Sequence, residues 1–405
     1  MNVLIQNATV LLPEGLTPET SVLIRDGRIE AIGRDSGPSG GTTLNVHGLL
    51  LAPGLIDLHS DAIEKEIRPR PGGSFPYDIA LTELDKRLAS CGVTRMYHCL
   101  CFGDSSSNDL RTAPVASNIA RTLRELRDDF LIHNRVHVRF EVSDVDCTDT
   151  IHSLMDEGAM DLLSFMDHTP GQGQFTCLEH FKAYYSQAEH LTQEQAVTLA
   201  QTRMEQRGSL GDDHLYGLAD HALADGVTLA SHDDDTREKV DWVHELGVKI
   251  SEFPVTLEAA TIAHELGMHV LMGAPNVLRG GSLTGNLGGR EAIQAGACTL
   301  MGSDYAPMTL LHAAFALARD GVHPLDQSLA LVSTHPAEAM GLERETGSIR
   351  EGLAADLILI DPTEGRIPRI VRTWVNGKEV YAAPRHSLPE SNPLAPEPHL
   401  VLDCN

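Results

Sequence analysis

The amino-acid sequence predicts an α/β protein: a distorted (β/α)8 TIM barrel with a small β-sandwich domain formed from both chain termini. Three observations lead there. From about residue 51 to residue 340, short apolar runs alternate with polar or amphipathic segments of helical length, the rhythm of parallel βαβ units. Acidic and histidine residues stand where those apolar runs stop, which is where a barrel gathers its chemistry. The two ends of the chain instead read as strands around tight turns.

VLIQNATVLL and SVLIRDGRIEAIG open the chain, with Asp26-Gly27 as the hairpin signal. The barrel begins with LLAPGLIDLHSD. GVTRMYHCLCFGD reads as strand two, and MHVLMG as strand seven. Strand texture returns in GSIREGLAADLILID and RIVRTWVNGKEVYA, the latter turning at Asn376-Gly377. The expected division is therefore 1–51 with 346–382 as the sandwich, 52–345 as the barrel, and 383–405 as an irregular, proline-rich tail.

Composition excludes several classes of function. At 405 residues and 42% hydrophobic content, the chain can bury a large core. No stretch approaches the roughly 18 to 20 apolar residues of a membrane span. The start, MNVLIQNATVLLP, lacks a basic region followed by an apolar run and a cleavage site, so a cytoplasmic location is expected. Seven cysteines without a C-x-x-C pair point to reduced thiols. A formal charge of −26 argues against nucleic acid or an anionic membrane as partner. It also means that a phosphate-bearing ligand would need a locally positive pocket.

The residues that carry chemistry end the strands. His59 and Asp61, spaced i, i+2, share one face of a strand, as a common ligand set requires. AMDLLSFMDH delivers His168, GVTLASHDD delivers His232, and ACTLMGSD delivers Asp304. One histidine after a strand is ordinarily a cap or a surface residue. Several such positions in succession point to divalent ions, zinc or manganese, held by imidazole and carboxylate.

PGLIDLHSD resembles the first-strand signature of the amidohydrolase superfamily. LHSDAIEKEIRPRPG, FMDHTPGQGQF, LASHDDDT, EFPVTLEAA, VLMGAPNVLRGGSLTGN and SDYAP, in this order, resemble the PhnM-type family of phosphonate breakdown, the α-D-ribose 1-methylphosphonate 5-triphosphate diphosphatases. The likeness covers roughly residues 1 to 382. It implies two metal ions, one held by His59, Asp61 and Asp304, the other by His168 and His232, with the latter two on strands five and six. It also makes Asp304 the residue that steers the proton of the attacking water.

Many relatives bridge the ions with a carboxylated lysine, but no lysine lies on a strand between His59 and His168. In VHVRFEV, His137, Arg139 and Glu141 share one face, which makes Glu141 the expected bridging ligand, or else the partner of Arg139 in a salt bridge. Lys65, Arg68 and Arg70, together with Arg279 in the glycine-rich loop after strand seven, are the expected phosphate-binding residues. Lys182 reads as part of a solvated helix face. His98, with Cys99 and Cys101, ends strand two, where it either reaches the metals or is an ordinary buried residue.

The implied reaction is attack of metal-activated water on a phosphorylated sugar, with diphosphate leaving. Assembly into a homo-oligomer is compatible with this reading. The alternatives are a deaminase or deacylase acting on a C–N bond, and a non-catalytic barrel serving in assembly or binding.

Overall fold

The computed structural model describes residues 2–33, 41–103, 109–175, 177–188, 191–209, 211–282, 285–362 and 367–383, so most of the expected tail lies outside the described residues. The strands are β1 (Val3–Leu12), β2 (Gly15–Arg25), β3 (Arg28–Ile32), β4 (Thr42–Asn45), β5 (Leu50–Pro53), β6 (Leu55–Ser60), β7 (Val93–Phe102) and β8 (His133–Glu141). They continue with β9 (Leu162–Met166), β10 (Thr228–His232), β11 (Ile250–Glu252), β12 (His269–Gly273), β13 (Leu300–Gly302), β14 (Leu357–Asp361), β15 (Arg369–Val375) and β16 (Lys378–Ala382).

The terminal strands form one mixed sheet in the order β16-β15-β14-β5-β1-β2-β3, with β4 also on β1. The expected small β domain is thus a mixed sheet whose apolar face, including Val3, Ile5, Val22, Ile24, Leu357, Leu359 and Trp374, makes a core of its own. Both hairpin signals act as turns. Asp26 and Gly27 have φ of 48° and 83°, and Asn376 and Gly377 have 48° and 69°, the left-handed pair that a tight turn between twisted strands needs. The two turns lie against each other, and a Cβ on Gly27 would come 2.9 Å from the Asn376 carbonyl.

The barrel strands run parallel in the order β6 to β13. Their fully buried sequences, such as the ten residues of β7, are those of strands covered on both faces. Closure brings β13 onto β6. Ser60 bridges Asp304, and the Asp57 carboxylate accepts from the backbone N–H groups of His59 (3.2 Å) and Ser303 (3.1 Å). Gly302 permits this approach, since a Cβ there would lie 3.2 Å from that of His59.

Between β9 and β10 the chain adds the helices Leu178–Ala188 and Gln193–Ser209 before the barrel helix Asp213–Ala224. The added pair packs around Phe175, Phe181 and Tyr185 as a separate small core. Among the described residues no helix is long and apolar enough to cross a membrane, and the cysteines are free thiols.

Candidate active site

His59, His168, His232 and Asp304 all stand at or just beyond the C-terminal ends of barrel strands, at one mouth. His168 follows β9 and His232 ends β10, which are strands four and five of the barrel. That corrects the expected fifth and sixth places by one. The sixth strand, β11, ends in Glu252, a residue singled out by no apolar period because β11 is only Ile250-Ser251-Glu252.

Three residues in this rim have left-handed backbones without being glycine: Asp233 (φ 55°), Phe253 (φ 50°) and Asp304 (φ 58°). Such conformations persist only where the surroundings fix them, and they cluster at functional sites.

Of the four donor clusters in the barrel among the described residues, two consist wholly of residues that line the cavity. His59, Asp61 and Asp304 bring one donor atom each within 4.8 Å of one another, and so do His168, His232 and Asp233. Asp233 Oδ2 is buried and has no hydrogen-bond donor, and it stands 3.8 Å from Nε2 of both His168 and His232. That gap is too long for a hydrogen bond. It suits two ligands that each stand about 2.0 to 2.2 Å from one ion, so the donor set fits a divalent metal.

Buried glutamates hold the other side of each ring. Glu252 lies 3.0 Å from His59 Nδ1 and 3.5 Å from His232 Nδ1, and it accepts from Ser164 Oγ at 3.0 Å. Glu141 lies 3.0 Å from His168 Nδ1 and accepts from Ser143 Oγ at 3.1 Å. A carboxylate beside Nδ1 is the carboxylate–histidine arrangement that orients metal ligands; it turns Nε2 of His168 toward Asp233, while Nε2 of His232 accepts from Arg139, which a metal at that nitrogen would displace. Glu141, the expected bridging ligand, therefore lies against the Nδ1 side of the His168 ring. The end of β8, barrel strand three, brings it next to the ring that follows β9, strand four.

Electrostatics follow from this packing. Burial opposes charge on Glu252, yet His59 and His137 beside it hold the carboxyl well below the usual range. Burial likewise opposes charge on His59, and Glu252 overrides it to raise the imidazole above its ordinary value. Burial raises Asp304, and the nearby Asp61 carboxylate raises it further. Burial pushes Asp233 up to about 6.

Two arginines unnamed as phosphate binders in the sequence reading line this cavity of about 250 Å³. Arg139 donates from Nη1 to Asp61 (3.3 Å) and from Nη2 to His232 Nε2 (3.0 Å), which places its guanidinium between the two ligand groups. Arg111 makes a forked pair with Glu64 at 2.9 and 3.1 Å. The signal for Arg139 was its alternation with His137 and Glu141; Arg111 carried none.

The expected phosphate residues are displaced from this cavity. Lys65, Arg68 and Arg70 line a neighbouring one of about 1280 Å³. Lys65 sits over the Tyr305 ring, and Arg68 pairs with Asp109 at 2.5 Å. Arg279 joins the two cavities: it donates to the Tyr305 hydroxyl at 2.5 Å and pairs with Asn276, which lines the active site. Residues 283–284 of its glycine-rich loop lie outside the described residues. Lys182 is occupied by Glu179 at 2.6 Å. His98 faces away from the mouth and hydrogen-bonds Asn134 Oδ1 at 2.7 Å, whereas Cys101 does line the cavity.

A parallel eight-stranded barrel with imidazoles and carboxylates converging at the C-terminal strand ends defines the class of metal-dependent barrel hydrolases. An amidohydrolase family model matches residues 182–381. The chain is 33% identical to the alpha-D-ribose 1-methylphosphonate 5-triphosphate diphosphatase of Escherichia coli (strain K12) over 381 residues, covering 93% of this chain and 100% of that one. A shorter stretch is 31% identical to the N-acetylglucosamine-6-phosphate deacetylase of Rattus norvegicus over 137 residues, 32% of each chain.

Among solved structures, molinate hydrolase superposes with a TM-score of 0.65 at 14% identity, covering 96% of this chain and 99% of that one. The chain belongs to the amidohydrolase superfamily and, within it, to the family of the α-D-ribose 1-methylphosphonate 5-triphosphate diphosphatases. It is a hydrolase, and the reading as a non-catalytic barrel falls away.

Proposed function

We propose that this protein hydrolyses the 5-triphosphate of a ribose 1-phosphonate, most simply α-D-ribose 1-methylphosphonate, and releases diphosphate. The observation that carries the reading is a pair of arginines, the buried Arg139 and the half-buried Arg111, lining the cavity of the ligand groups on a chain of net charge −26. A polyphosphate needs that local positive charge, and a neutral amide does not. Two divalent ions, Zn2+ or Mn2+, would be held by His59, Asp61 and Asp304 and by His168, His232 and Asp233. Such ions supply Lewis acidity toward the phosphoryl oxygens and make water acidic enough to attack near neutral pH.

The protein's own groups do the rest. Asp304, raised by burial and by Asp61, accepts the proton of the attacking water. The new O–P bond forms at the phosphorus nearest the ribose. The bond from that phosphorus to the bridging oxygen breaks, and its electron pair leaves on diphosphate. Arg139 and Arg111 donate to the non-bridging oxygens as charge grows there. Glu252 and Glu141 keep the rings aimed.

The test offers the metal-reconstituted protein a ribose 5-triphosphate ester beside N-acetylated sugar phosphates. Diphosphate release is expected, and Asp304→Asn should slow it by about 10² to 10⁴ with metal retained. Turnover of the N-acyl compounds alone would contradict the reading and favour C–N chemistry.

A further inference from the structure

Away from the mouth, two barrel helices present the same pair of residues at the same spacing. The helix Thr148–Asp156 carries His152 and Asp156, and the helix Asp213–Ala224 carries His221, with Asp225 as its C-cap. In both, histidine and aspartate are four apart, so each pair shares one helix face. The helices pack through Ile151, Leu154, Met155, Leu215, Leu218 and Ala222, all in the main core, and this rigid packing sets the two pairs side by side.

His221 Nε2 lies 3.3 Å from Asp156 Oδ1 and 3.4 Å from Asp225 Oδ2. Its Nδ1 lies 2.6 Å from Nδ1 of His152, with the two rings stacked at 4.9 Å. Nε2 can carry one proton, and one N–H cannot serve carboxylates from two different helices equally. A cation coordinated by Nε2 and both carboxylates would serve all three.

The backbone adds to the demand for positive charge. Asp156 is the last residue of its helix and Asp225 caps the other, so two negative helix ends converge here. Glu157, next in the chain, is already held by Arg121 at 2.7 and 2.8 Å, so that arginine is engaged elsewhere.

We propose that His221, Asp156 and Asp225 form a second metal site, for a zinc-like divalent ion, with His152 fixing the His221 ring through Nδ1. Imidazole with two carboxylates suits zinc, cobalt or nickel better than calcium or magnesium, and water completes the coordination. The site lies where the chain enters β9 and β10, at the N-terminal strand ends, the face of the barrel opposite the active site. That face serves stability in barrels of this kind. The ion clasps one helix to the other; it takes no part in hydrolysis.

Equilibrium dialysis of the full chain against excess Zn2+, followed by elemental analysis, tests this. Wild type should hold one ion more per chain than either His221→Ala or Asp225→Asn, while hydrolysis is the same in all three. His152→Ala should weaken that extra ion about 10- to 100-fold, as loss of a ring-orienting partner does. Equal zinc content in wild type and both variants would overturn the proposal. Failure of the active-site assignment would instead change the content and activity of all three proteins together, leaving the difference between them intact.

Discussion

Glu252 and Glu141 do the same work on different histidines, and they differ in how they could be found. Glu141 ends an alternating strand, so its sequence announces a buried carboxylate, although not that it would stand behind His168. Glu252 ends a three-residue strand with one apolar side chain, and no periodicity marks it. Because Glu252 touches Nδ1 of both His59 and His232, Glu252→Gln should weaken both ligand groups, by the 10- to 100-fold common for such partners. Glu141→Gln should weaken only the group containing His168. Metal titration of the two variants checks this, and equal losses from one group alone would contradict it.

The elements that proved most legible were those whose local chemistry leaves little choice. Asp26-Gly27 and Asn376-Gly377 fix their hairpins because both turn residues must be left-handed. The largely apolar runs of β7 and β9 read as strands, and both are buried along their whole length, as strands covered on both sides are. What such a run conceals is the direction in which a polar residue points.

His98 faces outward, on the side of Met96 and Leu100 in the helix-facing core, while Tyr97 packs in the inner cluster. It bonds Asn134, which donates to Asp85 at 2.8 Å, and Asp85 also accepts from the backbone of Leu131 and Ile132. This chain ties β7 and β8 to the helix Tyr77–Ser90. Burial pushes His98 down to about 4 from an ordinary 6.5, so between those values the unfolded chain binds a proton that the folded one refuses. Stability from this group is complete above about pH 6.5 and is lost as pH falls toward 4, on the order of 3 kcal/mol for the full shift. Denaturant unfolding of His98→Gln against wild type at pH 7 and pH 4.5 should show a smaller fall in the variant. An identical fall would remove His98 from the acid response.

At the scale of the whole molecule, the barrel encloses Asp61, Asp233, Glu252 and Asp304 in a chain already carrying −26. Arg139 and Arg111 offset part of that charge, and divalent ions should offset more. Metal should therefore stabilise the fold, by about 2.7 kcal/mol where free ion stands at 100 times its Kd. Chelation should lower Tm by several degrees and re-addition of Zn2+ or Mn2+ should restore it; an unchanged Tm would argue against ions in the barrel. The barrel itself was legible because its strand ends carry the chemistry. The helical pair between β9 and β10 was not, since its small aromatic core draws on residues spread across two helices and a loop. Nor was the division of basic residues between two cavities, because Lys65, Arg68 and Arg70 follow a ligand strand in sequence yet point into the neighbouring space.

The central claim is that water attacks the phosphorus nearest the ribose, between the ligand groups and beside Arg139. Hydrolysis of the ribose 5-triphosphate in ¹⁸O-labelled water, followed by ³¹P NMR, tests it most directly. The account predicts ¹⁸O in the sugar-bound phosphate and unlabelled diphosphate. Label in the released diphosphate, or release of orthophosphate instead, would contradict it.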